Sequence, residues 1–258
     1  MLLANYHTHT ARCRHAIGED RYYVEDAIES GKKVLGFSDH CPWIFPKGYV
    51  SGTRMKPSEL DDYFSSLLDL KQEYAKDITI YIGFESEYIP EMMAEQEKLL
   101  VDYPIDYMIL GEHFLQSETT GAYMGNEPEN EAEFIRYIDY IIEGMETGKY
   151  RYVAHPDLCP FSKNPACYTD QYLRLCRYLK AHEIPVEINL LGVVEKRHYT
   201  SDSFLDIAAK VGCSAIIGCD AHSPDRLQNA YGEKLCKDMA ERHHLPLIDF
   251  LPGLEALC

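Results

Sequence analysis

The regular alternation of β-rich and amphipathic segments is the feature that most constrains the fold of this chain. Seven short runs rich in β-branched and aromatic residues predict strands: MLLANYH, KKVLGFSDH, ITIYIGFE, IDYMILGEHF, YRYVAHPD, IPVEIN and CSAIIGCDAH. Successive β-α repeats favour a parallel sheet that closes into a barrel, and an open doubly wound sheet is the alternative.

Amphipathic segments between and after these runs predict the helices. They cover residues 20–30, 57–76, 91–101, 131–147, 169–182, 202–211 and 225–242. Pro57 and Ser58 are typical of a helix start. Because no linker separates the repeats, we expect residues 1–258 to form one α/β domain, a TIM-like (β/α)7 barrel.

Composition excludes several classes of function. The formal net charge is −17, and such a surface repels nucleic acid, whose binding depends on lysine and arginine. No run of eighteen apolar residues is present to span a membrane, and the first residues lack the basic start of a signal peptide. Nine cysteines without a C-x-x-C pair indicate reduced thiols and a cytoplasmic location.

Histidines and carboxylates stand where the predicted strands end. The first strand leads into His7 and His9, with His15 in the loop beyond, and later strand ends carry His40, Glu85, His113, His155, Asp220 and His222. The carboxyl ends of parallel barrel strands gather on one rim, so these residues converge although they are distant in sequence. Alternate residues of a strand face the same side, so His7 and His9 can bind one ion together.

Imidazole and carboxylate ligands without thiolates suit divalent zinc, manganese or iron. Nine candidate ligands exceed what one ion needs, so we expect two or three ions. Cys13, Cys41 and Cys219 are neighbours of these residues in sequence, and we interpret them as packing residues.

Six motifs together resemble the PHP (polymerase and histidinol phosphatase) superfamily: HTH at 7–9, SDH at 38–40, GFESEY at 83–88, GEHF at 111–114, AHPD at 154–157 and GCDAHSP at 218–224. The resemblance implies a distorted barrel of seven β-α units and a trinuclear site. Its first ion would take His7, His9, Glu85 and Asp220. Its second would take Glu85, His113 and His155, and its third would take His15, His40 and His222.

Within the superfamily, the chain is similar to the histidinol-phosphate phosphatases of histidine biosynthesis. The similarity includes RM at 54–55 and EINLLGVVEKRHYTSDSFLDIA. It implies metal-dependent hydrolysis of a small phosphate monoester, L-histidinol phosphate, to histidinol and phosphate. Arg197 would bind the phosphoryl group, with Arg54 and Glu87 as further substrate-binding residues. Asp220 or His222 would assist the leaving group.

Three other functions remain open at this point, and the oligomeric state is open as well. Another PHP phosphoesterase would act on nucleotides or other small esters, although the acidic surface disfavours oligonucleotides. An amidohydrolase also begins with H-x-H, but it usually places a lysine or glutamate after the fourth strand, where this chain has His113. A non-catalytic PHP module would have lost metal ligands, and here every expected position carries one.

Overall fold

Six parallel strands alternate with helices in the computed structural model, which describes residues 1–257 apart from the side chain of Lys47. The strands are β1 Ala4–Asn5, β2 Val34–His40, β3 Thr79–Ser86, β4 Tyr107–Leu110, β5 Val186–Asn189 and β6 Ala215–Gly218. The α-helices are α1 Asp20–Glu29, α2 Leu60–Glu73, α3 Pro90–Leu100, α4 Glu131–Glu146, α5 Pro165–Ala181, α6 Leu190–Glu195, α7 Asp202–Val211 and α8 Ala230–Arg242. Short 3₁₀ turns cover Ala11–Cys13, Pro46–Gly48, Pro57–Glu59 and Pro224–Gln228.

Two parallel sheets, β1-β2-β3-β4 and β5-β6, are joined into a distorted barrel by single-residue bridges. Val153 bridges both Leu110 and Val186, and on the other side Thr8 pairs with Ala221. The predicted barrel is therefore confirmed, and the open doubly wound sheet is wrong.

The fifth predicted strand, YRYVAHPD, is reduced to the bridge at Val153. Leu110 donates to the Tyr152 carbonyl and accepts from the Ala154 amide, at 3.0 and 2.9 Å. Immediately afterwards the backbone of His155 adopts a positive φ of 31°, which turns the chain out of the extended conformation. The segment still lies between β4 and β5, but it pairs through too few residues to form a regular strand.

β2 and β3 are buried along their whole length, as expected for parallel strands covered on both faces. One cluster of core residues lies between the strands and the surrounding helices. A second, smaller cluster fills part of the barrel interior and includes Tyr6, Tyr81, Tyr107 and Tyr152. The phenol hydroxyls in this interior find acceptors, such as the Tyr6 carbonyl for Tyr107 at 2.7 Å.

A C-terminal closing segment, residues 249–257, covers the end of the barrel opposite the strand carboxyl ends. Leu251 and Leu254 are buried in the interior cluster. The hydroxyl of Tyr6 donates to the Leu254 carbonyl at 2.7 Å, and that of Tyr81 donates to the Glu255 carbonyl at 2.9 Å. These contacts fix the tail against the first and third strands.

Capping residues explain where the helices differ from the sequence prediction. α5 begins at Pro165 rather than 169, because the Asn164 side chain accepts from the amides of Ala166 and Cys167. The six-residue α6 was not predicted, since it is too short to show a period. It starts at the cap Asn189 and ends at Lys196 in a left-handed conformation. None of the described helices has the length and apolar character needed to span a bilayer.

Candidate metal centre

A cavity of about 620 Å³ opens at the carboxyl ends of the strands. Seven of the nine predicted ligands line it: His15, His40, Glu85, His113, His155, Asp220 and His222. The other two, His7 and His9, are fully buried beneath it. The barrel thus brings all nine predicted residues together, from loops and strands that span more than two hundred positions of sequence.

The first predicted set meets at the floor of the cavity. The Nε2 atom of His9 lies 3.2 Å from Asp220 Oδ1 and 3.5 Å from Glu85 Oε2. The Nε2 atom of His7 lies 3.5 Å from the same Glu85 oxygen and 3.6 Å from Asp220 Oδ1. The H-x-H spacing works as expected, because both rings turn the same nitrogen towards one pair of carboxylates.

Glu85 contacts a second group of histidines through its other oxygen. Glu85 Oε1 lies 2.8 Å from His155 Nε2 and 3.5 Å from His113 Nε2. Its position depends on Gly111, since a Cβ atom there would lie 2.1 Å from Glu85 Oε1. One carboxylate therefore faces two sets of ligands, which is the geometry of a bridging group.

The third predicted set lies at the cavity mouth. The Nε2 atoms of His15 and His222 are 2.9 Å apart, and the rings of His15 and His40 have centroids 5.3 Å apart. Cys13, which we interpreted as a packing residue, is buried, and its sulfur lies within 4.8 Å of one nitrogen of both His15 and His222. The nearby thiol is a potential donor that the sequence interpretation dismissed.

Several buried polar atoms of the floor lack hydrogen-bond partners among the described residues. They are His7 Nε2, both ring nitrogens of His9, both carboxylate oxygens of Glu85 and His155 Nδ1. Buried polar groups are normally satisfied. The Nε2 atoms of His7 and His9 and the Glu85 oxygens converge, and this convergence indicates a bound cation. Imidazole nitrogens with carboxylate oxygens are donors for divalent cations. The residues present fit divalent metal ions.

Electrostatics in the cavity keep the carboxylates ionised and part of the imidazoles neutral. Burial would raise the pKa of Glu85, but His113 and His7 hold it well below its ordinary value. Burial and the neighbouring His9 lower the pKa of His222 to about 3. Burial would also lower the pKa of His9, but the neighbouring carboxylates of Asp220 and Asp39, 3.2 and 3.4 Å from its ring nitrogens, raise it to about 9.

Two of the candidate ligands hold strained backbone conformations. His155 and Asp220 have φ values of +31° and +50°, in the left-handed region that residues with a side chain rarely adopt. Both follow immediately after a paired segment, where the chain turns so that the side chain enters the site. Such strain is typical of functional positions held in place by the surrounding structure.

Arg54 and Glu87, which we predict to bind substrate, contact each other in the structure. Both are almost fully buried and form an ion pair with a 2.9 Å contact, and Arg54 also binds Glu118 at 2.7 Å. Glu87 accepts from Trp43 Nε1 at 3.0 Å and lies 3.1 Å from His113 Nδ1. Arg54 still lines the cavity, but Glu87 lies behind His113 and supports that ring instead.

Two further arginine side chains, Arg197 and Arg226, line the same cavity. Arg197 donates to the Tyr199 hydroxyl at 2.8 Å and to Glu195 Oε2 at 2.8 Å. Arg226, which the sequence interpretation did not single out, donates to the other Glu195 oxygen at 3.1 Å. The only sequence signal for Arg226 is its position four residues after the candidate ligand His222. The wall therefore offers two guanidinium groups that share one carboxylate.

The four histidines that do not end strands lie outside this cavity. His243 places its ring nitrogens 2.8 Å from Asp202 and 2.8 Å from Asp206 on the outer face of α7. His198 approaches the Leu158 carbonyl at 2.6 Å through Nε2. Its ring therefore ties two loops together instead of facing the candidate ligands.

The barrel and its ring of histidines and carboxylates are typical of proteins that bind divalent metal ions. Comparison with known proteins identifies the family. The model of the family described as PHP domain matches residues 5–190. The chain belongs to this family.

Relatives with known names cover most of the chain. A Deinococcus radiodurans protein named "Probable histidinol-phosphatase" is 28% identical over 235 residues. The match covers 86% of this chain and 87% of that protein. A Schizosaccharomyces pombe protein of the same name is 26% identical, and the match covers 86% of this chain and 81% of that protein. The solved histidinol phosphate phosphatase of Lactococcus lactis subsp. lactis Il1403, complexed with zinc, L-histidinol and phosphate, shares the fold. Its TM-score is 0.71 at 18% identity, with 95% of each chain covered.

Proposed function

We propose that this chain is a histidinol-phosphatase that hydrolyses L-histidinol phosphate to L-histidinol and phosphate, with residues 1–258 as a single domain. The observation that carries the proposal is the two-sided environment of Glu85. Its oxygens face separate histidine groups, and two arginines line the same cavity. Relatives named histidinol-phosphatase over most of the chain support this substrate.

The nine residues predicted as ligands hold two or three divalent ions, and zinc, manganese and iron all suit the donors. His7, His9, Glu85 and Asp220 form the first set. His113 and His155 share Glu85 in the second, and His15, His40 and His222 form the third. When bound, these ions activate water as a nucleophile and offset charge on the phosphoryl group.

Arg197 and Arg226, which line the same cavity as the candidate ligands, bind the phosphoryl oxygens. A planar guanidinium presents paired N–H donors that match a phosphate, and the contact is stronger where water is excluded. In the structure both groups contact Glu195, which holds them in the wall before substrate arrives. These positive groups offset the negative net charge of the chain locally, so an anionic ester can enter the cavity.

Asp220 and His222 act as ligands rather than as proton donors to the leaving group. Burial would raise the pKa of Asp220, but His7 and His9 hold it well below its ordinary value. The pKa of His222 is lowered to about 3. Neither residue carries an acidic proton at neutral pH, and a bound cation would lower both pKa values further.

A phosphate-release screen with metal-analysed protein tests the proposed function. We expect kcat/KM for L-histidinol phosphate to exceed that for nucleoside monophosphates and sugar phosphates by at least about tenfold, which is roughly 1.4 kcal/mol of transition-state discrimination. Faster hydrolysis of a nucleotide would identify a different phosphoesterase of the same family. Absence of phosphate release from every ester, with metal present, would contradict the phosphatase assignment.

A further inference from the structure

Glu187, near the end of β5, is a fully buried carboxylate behind the candidate ligands and outside the predicted set. Its Oε1 atom lies 2.9 Å from His7 Nδ1 and accepts from the Tyr152 hydroxyl at 3.1 Å. Its Oε2 atom accepts from the His155 amide at 2.7 Å and from Asn189 Nδ2 at 3.0 Å. One side chain thus contacts His7 through the ring and His155 through the backbone.

Asn189 extends these contacts to a third candidate ligand. Its Nδ2 group also donates to Asp220 Oδ2 at 3.1 Å, so the amide bridges Glu187 and Asp220. Glu187, through four donors, connects residues that follow the first strand, the Val153 bridge and the last strand. The group is a single hydrogen-bonded unit beneath the cavity floor.

The structure makes room for Glu187 at the neighbouring strand. Gly218 of β6 pairs with Asn189 in the parallel register, and a Cβ atom at Gly218 would lie 1.9 Å from Glu187 Oε1. A side chain of any size there would force the carboxylate away from His7. Glycine at this position is therefore a steric requirement of the Glu187 contact.

The chemistry of the His7 contact fixes which ring nitrogen is free. An ionised carboxylate can only accept hydrogen bonds, so His7 Nδ1 must carry the hydrogen that it donates to Glu187. In the neutral ring that binds a metal ion, the Nε2 atom then keeps its lone pair, and this is the unpartnered atom that faces Glu85 and Asp220. A carboxylate behind a histidine in this way orients the ring and raises its basicity as a ligand.

Glu187 differs from Glu87, the carboxylate behind His113, in whether a neighbouring cation neutralises its charge. Glu87 is neutralised by the guanidinium of Arg54 at 2.9 Å. Glu187 forms no ion pair with a lysine or arginine in the part of the chain that the structure describes, and apart from His7 its donors are neutral groups. Its negative charge is therefore directed mainly at His7.

We infer that Glu187 is a positioning residue that fixes the tautomer of His7 and strengthens metal binding at the cavity floor, over and above the nine ligands. The inference rests on the proposed function, because it requires that this floor binds an ion. Glu187 itself touches neither ion nor substrate. It acts through His7, and through the His155 backbone and Asn189.

Zinc binding to the metal-free protein, measured by competition with a chromophoric chelator, tests this role without substrate. We expect Glu187→Gln to weaken the tightest zinc site by 10- to 100-fold, the usual effect of losing such a partner. The matched control is Glu112→Gln. Glu112 is equally buried and accepts from the Tyr88 amide, but among the described residues its side chain forms no hydrogen bond or ion pair with a candidate ligand, so zinc affinity should stay within about threefold of wild type.

A change of less than about threefold in Glu187→Gln would overturn the inference. If that variant does not fold, ¹⁵N-histidine NMR of the zinc-loaded wild-type protein decides it, because His7 must appear as the Nδ1–H tautomer. An Nε2–H tautomer would contradict the role of Glu187. Failure of wild-type protein to bind zinc, manganese or iron would instead contradict the proposed function, so the two failures are distinguishable.

Discussion

At the scale of single residues, Glu85 combines properties that the sequence shows only separately. It is a buried acid at the end of a β-rich run, and each of its oxygens faces a different histidine group. An ion pair or hydrogen bond would normally compensate such a buried charge. Both oxygens lack hydrogen-bond partners among the described residues, so the surrounding histidines compensate the charge in part and a divalent cation would complete the compensation.

Removing the Glu85 carboxylate should therefore affect more than one ion. We expect Glu85→Ala to lose more than one equivalent of metal and to abolish phosphate release, measured by elemental analysis and by a phosphate assay. His243→Ala is the control. Among the described residues its ring contacts exposed aspartates on α7, and it does not line the cavity. Unchanged metal content in the Glu85 variant would disprove the bridging role.

For Arg197 we expect the opposite pattern, in which phosphatase activity falls while the metal content is unchanged. Arg197→Met keeps the length of the side chain and deletes the donors that face the cavity. We expect a loss of about 2–4 kcal/mol in transition-state stabilisation, or roughly 30- to 1,000-fold in kcat/KM on L-histidinol phosphate. Metal content should not change.

The neighbouring Lys196→Met serves as the comparison for Arg197. Lys196 is exposed and does not line the cavity, so its loss should leave kcat/KM unchanged. If Arg197→Met lowers kcat/KM by less than about threefold, Arg197 does not bind the phosphoryl group.

At the scale of strands and loops, the sequence predicts which residues gather at the cavity better than it predicts the contacts behind them. His7, His9 and Asp220 lie together because strand ends of a parallel barrel gather on one rim. The position of Glu87 behind His113 could not be predicted, since Glu85 and Glu87 are two residues apart and alternation places both on one side. The strand ends at Ser86, and the turn beyond it sends Glu87 behind His113 to Arg54. Such pairings depend on contacts distant in sequence.

Gly218 of β6 offers a prediction at this scale, because the Glu187 side chain of β5 occupies the space that a Cβ atom there would need. Gly218→Ala should lower the free energy of unfolding by about 1–3 kcal/mol through overpacking, and it should weaken zinc binding by displacing Glu187. Chemical denaturation and chelator competition measure the two effects. Gly52→Ala is the control, since a Cβ atom there meets nothing within 4 Å. Equal behaviour of the two variants would refute the steric argument.

At the scale of the whole molecule, the barrel is secured where its first and last elements meet. Lys32, after α1, is buried and donates to Glu233 of α8 at 2.9 Å and to the Leu227 carbonyl at 2.6 Å. Glu233 also accepts from the Leu2 amide at 2.9 Å. The Thr8–Ala221 bridge closes the barrel between the same regions of the chain.

Breaking this buried pair should destabilise the fold and spare the chemistry. Lys32→Met removes the buried lysine partner of Glu233, which keeps the Leu2 amide at 2.9 Å and the Met1 ammonium at 3.4 Å, and breaking such a buried pair costs about 3–5 kcal/mol. At about 2–4 °C per kcal/mol, Tm should fall by roughly 6–20 °C, while kcat/KM at 25 °C stays near wild type. Calorimetry and the phosphate assay measure both.

The exposed pair Lys234–Asp238 provides the control for this prediction. Lys234→Met should change the free energy of unfolding by less than about 1 kcal/mol, since an exposed ion pair contributes little. A similar small effect in Lys32→Met would show that the buried pair does not secure the barrel.

The closing segment has a consequence for how the protein is made in the cell. A ribosome releases the N-terminal strands first, but residues 249–257 leave it late, and they cover Tyr6 and Tyr81 of the first and third strands. Until then the apolar end of the nascent barrel stays open to water and to other chains, as in other slowly completed folds. Chaperones that bind exposed apolar surface therefore have their longest opportunity at this end of the molecule.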